Sequence, residues 1–336
     1  MASASPHPVT GVLLVNTGTP DAPQAGAVRR FLRRFLSDRR VVELPRWLWL
    51  PLLNGVVLPL RAPRSARNYR RIWRDDGSPL AALTRALCTA VQAALEQRRP
   101  GAYVVEGAFL YSEPSVPAAL SRLTAAGADA LVVLPLYPQC SGTTTGAVYD
   151  QVSAALGRRR ALPDVHYIAH YHDDPPYIAA LASSVREHWQ RHGRSELLLM
   201  SFHGLPQRII DAGDPYAAHS RSTAARLAAA LDLRAEEWQL SFQSRFGGGR
   251  WLQPATDRTL MQLASAGRRD VTVICPGFAV DCLETLEEIA ITGREQFLHG
   301  GGERFAYVPA LNDRPDHALA LAARVMTVSG PGPGVS

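Results

Sequence analysis

The feature that most constrains this chain is a repeated grammar: a short apolar run, a turn, then an amphipathic helix. Val12 to Val15 is such a run, and it ends in Asn16, Thr17, Gly18, Thr19 and Pro20. Beyond it, Val28, Phe31, Leu32, Phe35 and Leu36 recur at helical spacing, with Arg29, Arg30, Arg33 and Arg34 on the other face. Tyr103 to Phe109 and Leu131 to Leu136 repeat the pattern, with a helix around Ala118 to Ala126 between them. Val165 to Ala169, Leu197 to Met200 and Val271 to Cys275 carry it through the second half. Runs without polar alternation are what strands buried on both faces look like. The sequence therefore predicts an α/β fold with parallel sheets, arranged as two doubly wound domains.

The expected organisation is a first domain over 1–165, with an uncharged apolar segment at 47–60, and a second over 166–314. The boundary is placed where the run Arg158 to Arg160 meets Pro163. A helix at 315–328 is expected to pack back on the first domain, and the Gly/Pro-rich tail 329–336 to be disordered. In a doubly wound domain ligands bind at the carboxyl ends of the strands, so side chains there are the first candidates for chemistry.

Composition narrows that chemistry. All 36 basic residues are arginine and none is lysine. Schiff-base enzymes, including those that use pyridoxal phosphate, and the lysine-dependent phosphate loop are thereby excluded. The net charge of +6 is modest and lacks a basic stripe interleaved with aromatics, so no nucleic-acid partner is expected. No GxGxxG follows any strand. The four cysteines, Cys88, Cys140, Cys275 and Cys282, lack the close pairing that zinc and iron-sulfur sites need. Met1 to Pro8 has no apolar leader core, and with unpaired cysteines this predicts a cytoplasmic protein.

The segment Trp47 to Leu60 has fourteen residues, no charge and Asn54 as its one polar side chain. A bilayer span needs about 20 apolar residues, so it does not cross a membrane. It reads either as buried core or as an apolar lip against a flat hydrophobic ligand or a membrane surface. The arginines between Arg61 and Arg74 that follow it suit an amphiphilic anionic partner.

Among chemical candidates, His203 follows the strand at Leu197 to Met200, at the ligand end of a parallel sheet. A satisfied structural histidine is the alternative. Asp281, Glu284 and Glu288 fall on one face of a helix predicted to begin near Asp281. Asp281 and Glu284 fit a helix cap, yet three carboxylates on one stripe exceed what a cap requires. His166, His170, His172, Asp173 and Asp174 form a second cluster, read as a solvated loop because it has no recognised ligand spacing.

Six ordered motifs resemble those of the ferrochelatase family, with the proteobacterial branch nearest. They are LLVNTGTP at Leu13 to Pro20, YRRIW at Tyr69 to Trp73 with GSPL at Gly77 to Leu80, LPLYPQCSGTTTGAV at Leu134 to Val148, SFHGLPQR at Ser201 to Arg208, SFQSRFGGGRWLQP at Ser241 to Pro254, and CPGFAVDCLETLEEI at Cys275 to Ile289. The resemblance covers about residues 10 to 326. It implies two Rossmann-like domains of the chelatase type with a cleft between them, and insertion of ferrous iron into protoporphyrin IX as the last step of heme synthesis.

By the same resemblance, His203 and Glu284 face each other from separate lobes as catalytic and metal-binding residues. Arg61, Tyr69 and Ser78 contact porphyrin, and Asp281 and Glu288 relay protons or metal. The partners implied are protoporphyrin IX and Fe²⁺, with no tightly bound cofactor, a monomeric chain, and peripheral contact of 47–60 with the inner face of the membrane. No iron-sulfur cluster is expected, because the last cysteine is Cys282, which itself stands where some members carry histidine. A chelatase for coproporphyrin III and a passive carrier of heme or metal are the alternatives.

Overall fold

The computed structural model describes residues 9–330. These form two compact units. The first comprises the chain up to Leu136, Gly142–His170 and the chain from Asp313 onward, and the second comprises Tyr137–Ser141 and Tyr171–Asn312. The chain thus passes between units at His170 and Tyr171 and lends Tyr137–Ser141 to the second, where sequence reading places one boundary at 165. Residues 331–336 of the expected tail lie outside the described residues.

In the first unit, β1 (Val9–Asn16), β2 (Tyr103–Phe109), β3 (Ala128–Pro135) and β4 (Asp164–Tyr167) form a parallel sheet in the order β2-β1-β3-β4. Val12, Leu13, Leu14 and Val15 are fully buried, as strands covered on both faces must be. Helix Pro315–Ser329 packs on helix Pro79–Arg98 and on β3.

The second unit repeats the topology. Strands β5 (Leu197–His203), β6 (Trp238–Gln243), β7 (Asp270–Ile274) and β8 (Arg304–Val308) form a parallel sheet ordered β6-β5-β7-β8. In both sheets the chain runs outward from the first strand to one side and then returns to build the other side. That reversal opens a crevice at the carboxyl ends of the first and third strands, the place where such folds bind ligands. In the second unit these strands are β5 and β7. His203 closes β5, and the segment after β7 leads to Glu284.

The segment 47–60 is helical and largely on the surface, so the buried-core alternative does not hold. Helix Arg46–Leu52 runs through a π-helical turn, Leu53–Val57, into helix Leu58–Ile72. Pro51 lies inside the first helix, and the Asn54 side-chain amide donates to the Leu50 carbonyl at 2.8 Å. Trp49, Leu53 and Leu58 face the interior, and the Trp49 indole donates to Leu36 O at 2.7 Å. On the other face Leu48, Leu52, Val56 and Leu60 recur every four residues, with Trp47 beside them. Trp47 is 79% exposed and Leu60 73%. Among the described residues, no helix is long and apolar enough to cross a membrane.

Candidate active site

His203 stands half-buried at the end of β5. Its Nδ1 lies 2.7 Å from the carbonyl oxygen of Gly204. A carbonyl only accepts, so Nδ1 carries the proton, and in the neutral ring the lone pair belongs to Nε2. Local sequence fixes this turn. Gly204 N–H donates to Gln243 O at 2.7 Å, and a Cβ on residue 204 would sit 2.7 Å from that same oxygen, so only glycine fits. Phe278 lies beside the imidazole, with ring centroids 6.4 Å apart.

Glu284 begins a π-helix, Glu284–Gly293, which differs from the α-helix starting near Asp281 that the sequence predicts. A π-helix closes i to i+5 bonds and is commonly found at functional sites. Its wider turn keeps Glu284 and Glu288 near one another. Asp281 stands before the helix, off the expected stripe.

The carboxylates have separate fates. Asp281 is buried, 4% exposed, and fully engaged. Its Oδ1 accepts from Thr285 Oγ1 at 2.8 Å, Tyr307 Oη at 2.6 Å and Ala310 N at 3.3 Å, while Oδ2 accepts from Asn312 Nδ2 at 2.8 Å. The Asp281 N–H donates back to Asn312 Oδ1 at 2.8 Å. Such a group ties the segment after β7 to β8, with Oδ1 accepting three bonds and Oδ2 one. Glu288 differs. Burial pushes its carboxyl up to about 7, against two hydrogen bonds from Ser244, and the charges of Glu284 and Glu287 add to the rise.

Cys282 is buried beside Glu284. Burial first, then the charge and hydrogen bond of Glu284, hold its thiol well above the ordinary range. A thiol kept protonated donates to Glu284 and does not take the place of a titrating imidazole.

One feature has no signal in the sequence, and one lies in a different environment from that expected. Gln243, at the end of β6 and in register with His203, donates from Nε2 to Glu284 O at 2.7 Å. His172, placed by sequence reading in a solvated loop, is buried and stacked on His219 with centroids 3.8 Å apart. His219 Nδ1 in turn accepts from Cys140 N at 3.2 Å.

The residues expected to contact porphyrin lie in the first unit. Arg61 and Tyr69 stand on helix Leu58–Ile72, Arg61 half-buried and Tyr69 buried edge-on to Trp73 at 6.0 Å. Ser78 precedes helix Pro79–Arg98 and accepts from Thr19 Oγ1 at 2.7 Å. Thr19 N–H donates to Ser112 Oγ at 3.1 Å. This close approach needs Gly18 at φ +101°, since a Cβ there would lie 2.4 Å from the Ser112 hydroxyl. His203 and Glu284, by contrast, both belong to the second unit and follow neighbouring strands of one sheet. The expectation that they come from separate lobes is thereby corrected.

Two parallel four-stranded units of identical strand order make a doubly wound α/β protein, with His203 and the acidic helix of Glu284 and Glu288 at the crevice of the second. The SirB structure from Bacillus subtilis with Fe3+ shares this fold, at a TM-score of 0.56 and 11% identity, covering 94% of each chain. Residues 9–328 match the family model described as Ferrochelatase. A ferrochelatase from Thioalkalivibrio sulfidiphilus is 49% identical over 95% of this chain and 86% of its own length. One from Escherichia coli is 50% identical over 93% and 96% respectively. The chain belongs to the ferrochelatase family, enzymes that insert metal into porphyrin in heme biosynthesis.

Proposed function

We propose that this enzyme inserts Fe²⁺ into protoporphyrin IX to give protoheme, with His203 as the acceptor of pyrrole protons. Metalation releases two protons: each neutral pyrrole N–H must lose its hydrogen as the nitrogen lone pairs take up the cation. The observation that carries the reading is the 2.7 Å approach of His203 Nδ1 to the Gly204 carbonyl oxygen. With Nδ1–H committed to Gly204 O, Nε2 offers its lone pair at the ligand end of the sheet. A positioned base of this kind contributes roughly 10² to 10⁴ in rate.

Glu284 and Glu288 pass protons outward or the cation inward, and His203 and Glu284 supply nitrogen and oxygen donors to the metal in transit. Hard oxygen ligands hold ferrous iron without trapping it as thiolates do. A carboxyl near neutrality, as Glu288 is, both takes up and gives back a proton at working pH. Arg61, Tyr69 and Ser78 contact the porphyrin. The exposed stripe of 47–60 makes the peripheral contact with the inner face of the membrane, from the cytoplasmic side, and the arginines that follow suit its anionic surface.

The test is anaerobic mixing of the purified protein, protoporphyrin IX and Fe²⁺, followed by absorbance. Catalytic conversion to the protoheme spectrum is expected. A spectrum no faster to change than without protein contradicts the reading, and faster turnover of coproporphyrin III in the same assay reassigns the substrate.

A further inference from the structure

Gln243 lies beside the proposed catalytic pair without being part of it. Its side chain is buried, yet every polar atom is used. Oε1 accepts from Ser201 Oγ at 2.7 Å and from the Cys275 thiol at 3.4 Å. Nε2 donates to the Glu284 main-chain carbonyl at 2.7 Å. The amide orientation follows from its partners: a carbonyl accepts only, so the NH₂ must face Glu284 and the oxygen must face Ser201. Ser201 and Ser241 both bond Thr256 Oγ1 at 2.8 Å, which braces the floor under Gln243.

The main chain of the same residue holds the other partner. Gln243 pairs in register with His203, and its carbonyl accepts from Gly204 N–H at 2.7 Å. Gly204 is also the residue whose carbonyl sets the His203 tautomer. One residue therefore fixes the first residue of the π-helix through its side chain and the imidazole turn through its backbone. We propose that Gln243 is a positioning residue for metal insertion, a clamp that sets Glu284 against His203 by holding the Glu284 carbonyl to the end of β6. The inference rests on the reading of His203 and Glu284 given above.

The test compares Gln243→Met, Gln243→Glu, His203→Ala and Glu284→Gln in the full chain, with kcat, the KM for protoporphyrin IX, pH dependence and thermal midpoint measured for each. Gln243→Met keeps the volume and removes the donor. Displacing a reacting group by about an ångström costs up to roughly 100-fold in rate, so kcat should fall about 10- to 100-fold with the porphyrin KM within about twofold. Gln243→Glu donates to the Glu284 carbonyl only while protonated. It should keep substantial turnover at low pH and lose it as pH rises, in kcat rather than KM, relative to the unmodified enzyme.

If both Gln243 variants lower the thermal midpoint but keep normal kcat at every pH, the residue is only structural and the inference is overturned. Should Gln243→Met fail to fold, the pH profile of Gln243→Glu decides alone. Normal turnover by His203→Ala and Glu284→Gln would instead sink the reading of the pair, whatever Gln243 does.

Discussion

Ser244 donates to the Glu288 carboxylate twice, through its backbone N–H at 2.6 Å and through its hydroxyl. Ser244 achieves this in the left-handed region, at φ +64°. The clasp lowers the carboxyl of Glu288, yet burial, with the charges of Glu284 and Glu287, outweighs it and raises the group from 4.5 to about 7.

A pH dependence of stability follows. The folded carboxyl binds its proton more tightly than the unfolded one, so its contribution is fully present below pH 4.5 and is lost as pH rises through about 7. The loss is on the order of 3 kcal/mol. Glu288→Gln cannot ionise and should escape it. Urea unfolding at pH 5 and pH 8 should show the variant gaining on the unmodified protein as pH rises, and a pH-independent difference would contradict the assignment.

Asp281 should behave as scaffold. Replacing it by Ala strands the donors of Tyr307, Asn312 and Thr285 in a buried site, at a cost of about 3 kcal/mol in unfolding free energy. Asp281→Asn keeps the volume and part of the bonding. Where it remains folded it should retain metal insertion, which loss of turnover with an undisturbed unfolding curve would refute.

The fold was legible where burial is two-sided and obscure where it is not. Strands β1, β3, β5 and β7, the inner strands of the two sheets, announce themselves as apolar runs, because helices cover both faces of the sheet. Trp238–Gln243 and Arg304–Val308 escape such reading because they are the edge strands of the second sheet and interleave polar residues. The acidic stripe was half visible. Spacing brings Glu284 and Glu288 together, but a periodicity of 3.6 assigns Asp281 to the same face, and Asp281 lies before the helix begins. Gln243 could not be found from spacing, since its role depends on a contact to a residue 41 positions away. The stretch at 47–60 carried too little charge for its pattern to separate core from surface.

The exposed apolar stripe predicts a membrane-binding phenotype separable from stability. Trp47→Ser combined with Leu60→Ser removes two large side chains that are mostly in water. Each contributes about 1 to 2 kcal/mol when buried against acyl chains. Co-sedimentation with vesicles containing anionic lipid should fall at least tenfold while the thermal midpoint holds. Unchanged vesicle binding would remove the stripe from the membrane contact.

The central claim is that the Nε2 lone pair of His203 takes the pyrrole proton, and the most direct measurement pairs turnover with binding in His203→Ala. Loss of the base should slow anaerobic Fe²⁺ insertion by roughly 10² to 10⁴, with protoporphyrin IX still bound at close to the original affinity. Turnover within a few fold of the unmodified enzyme, at equal porphyrin occupancy, would contradict the account.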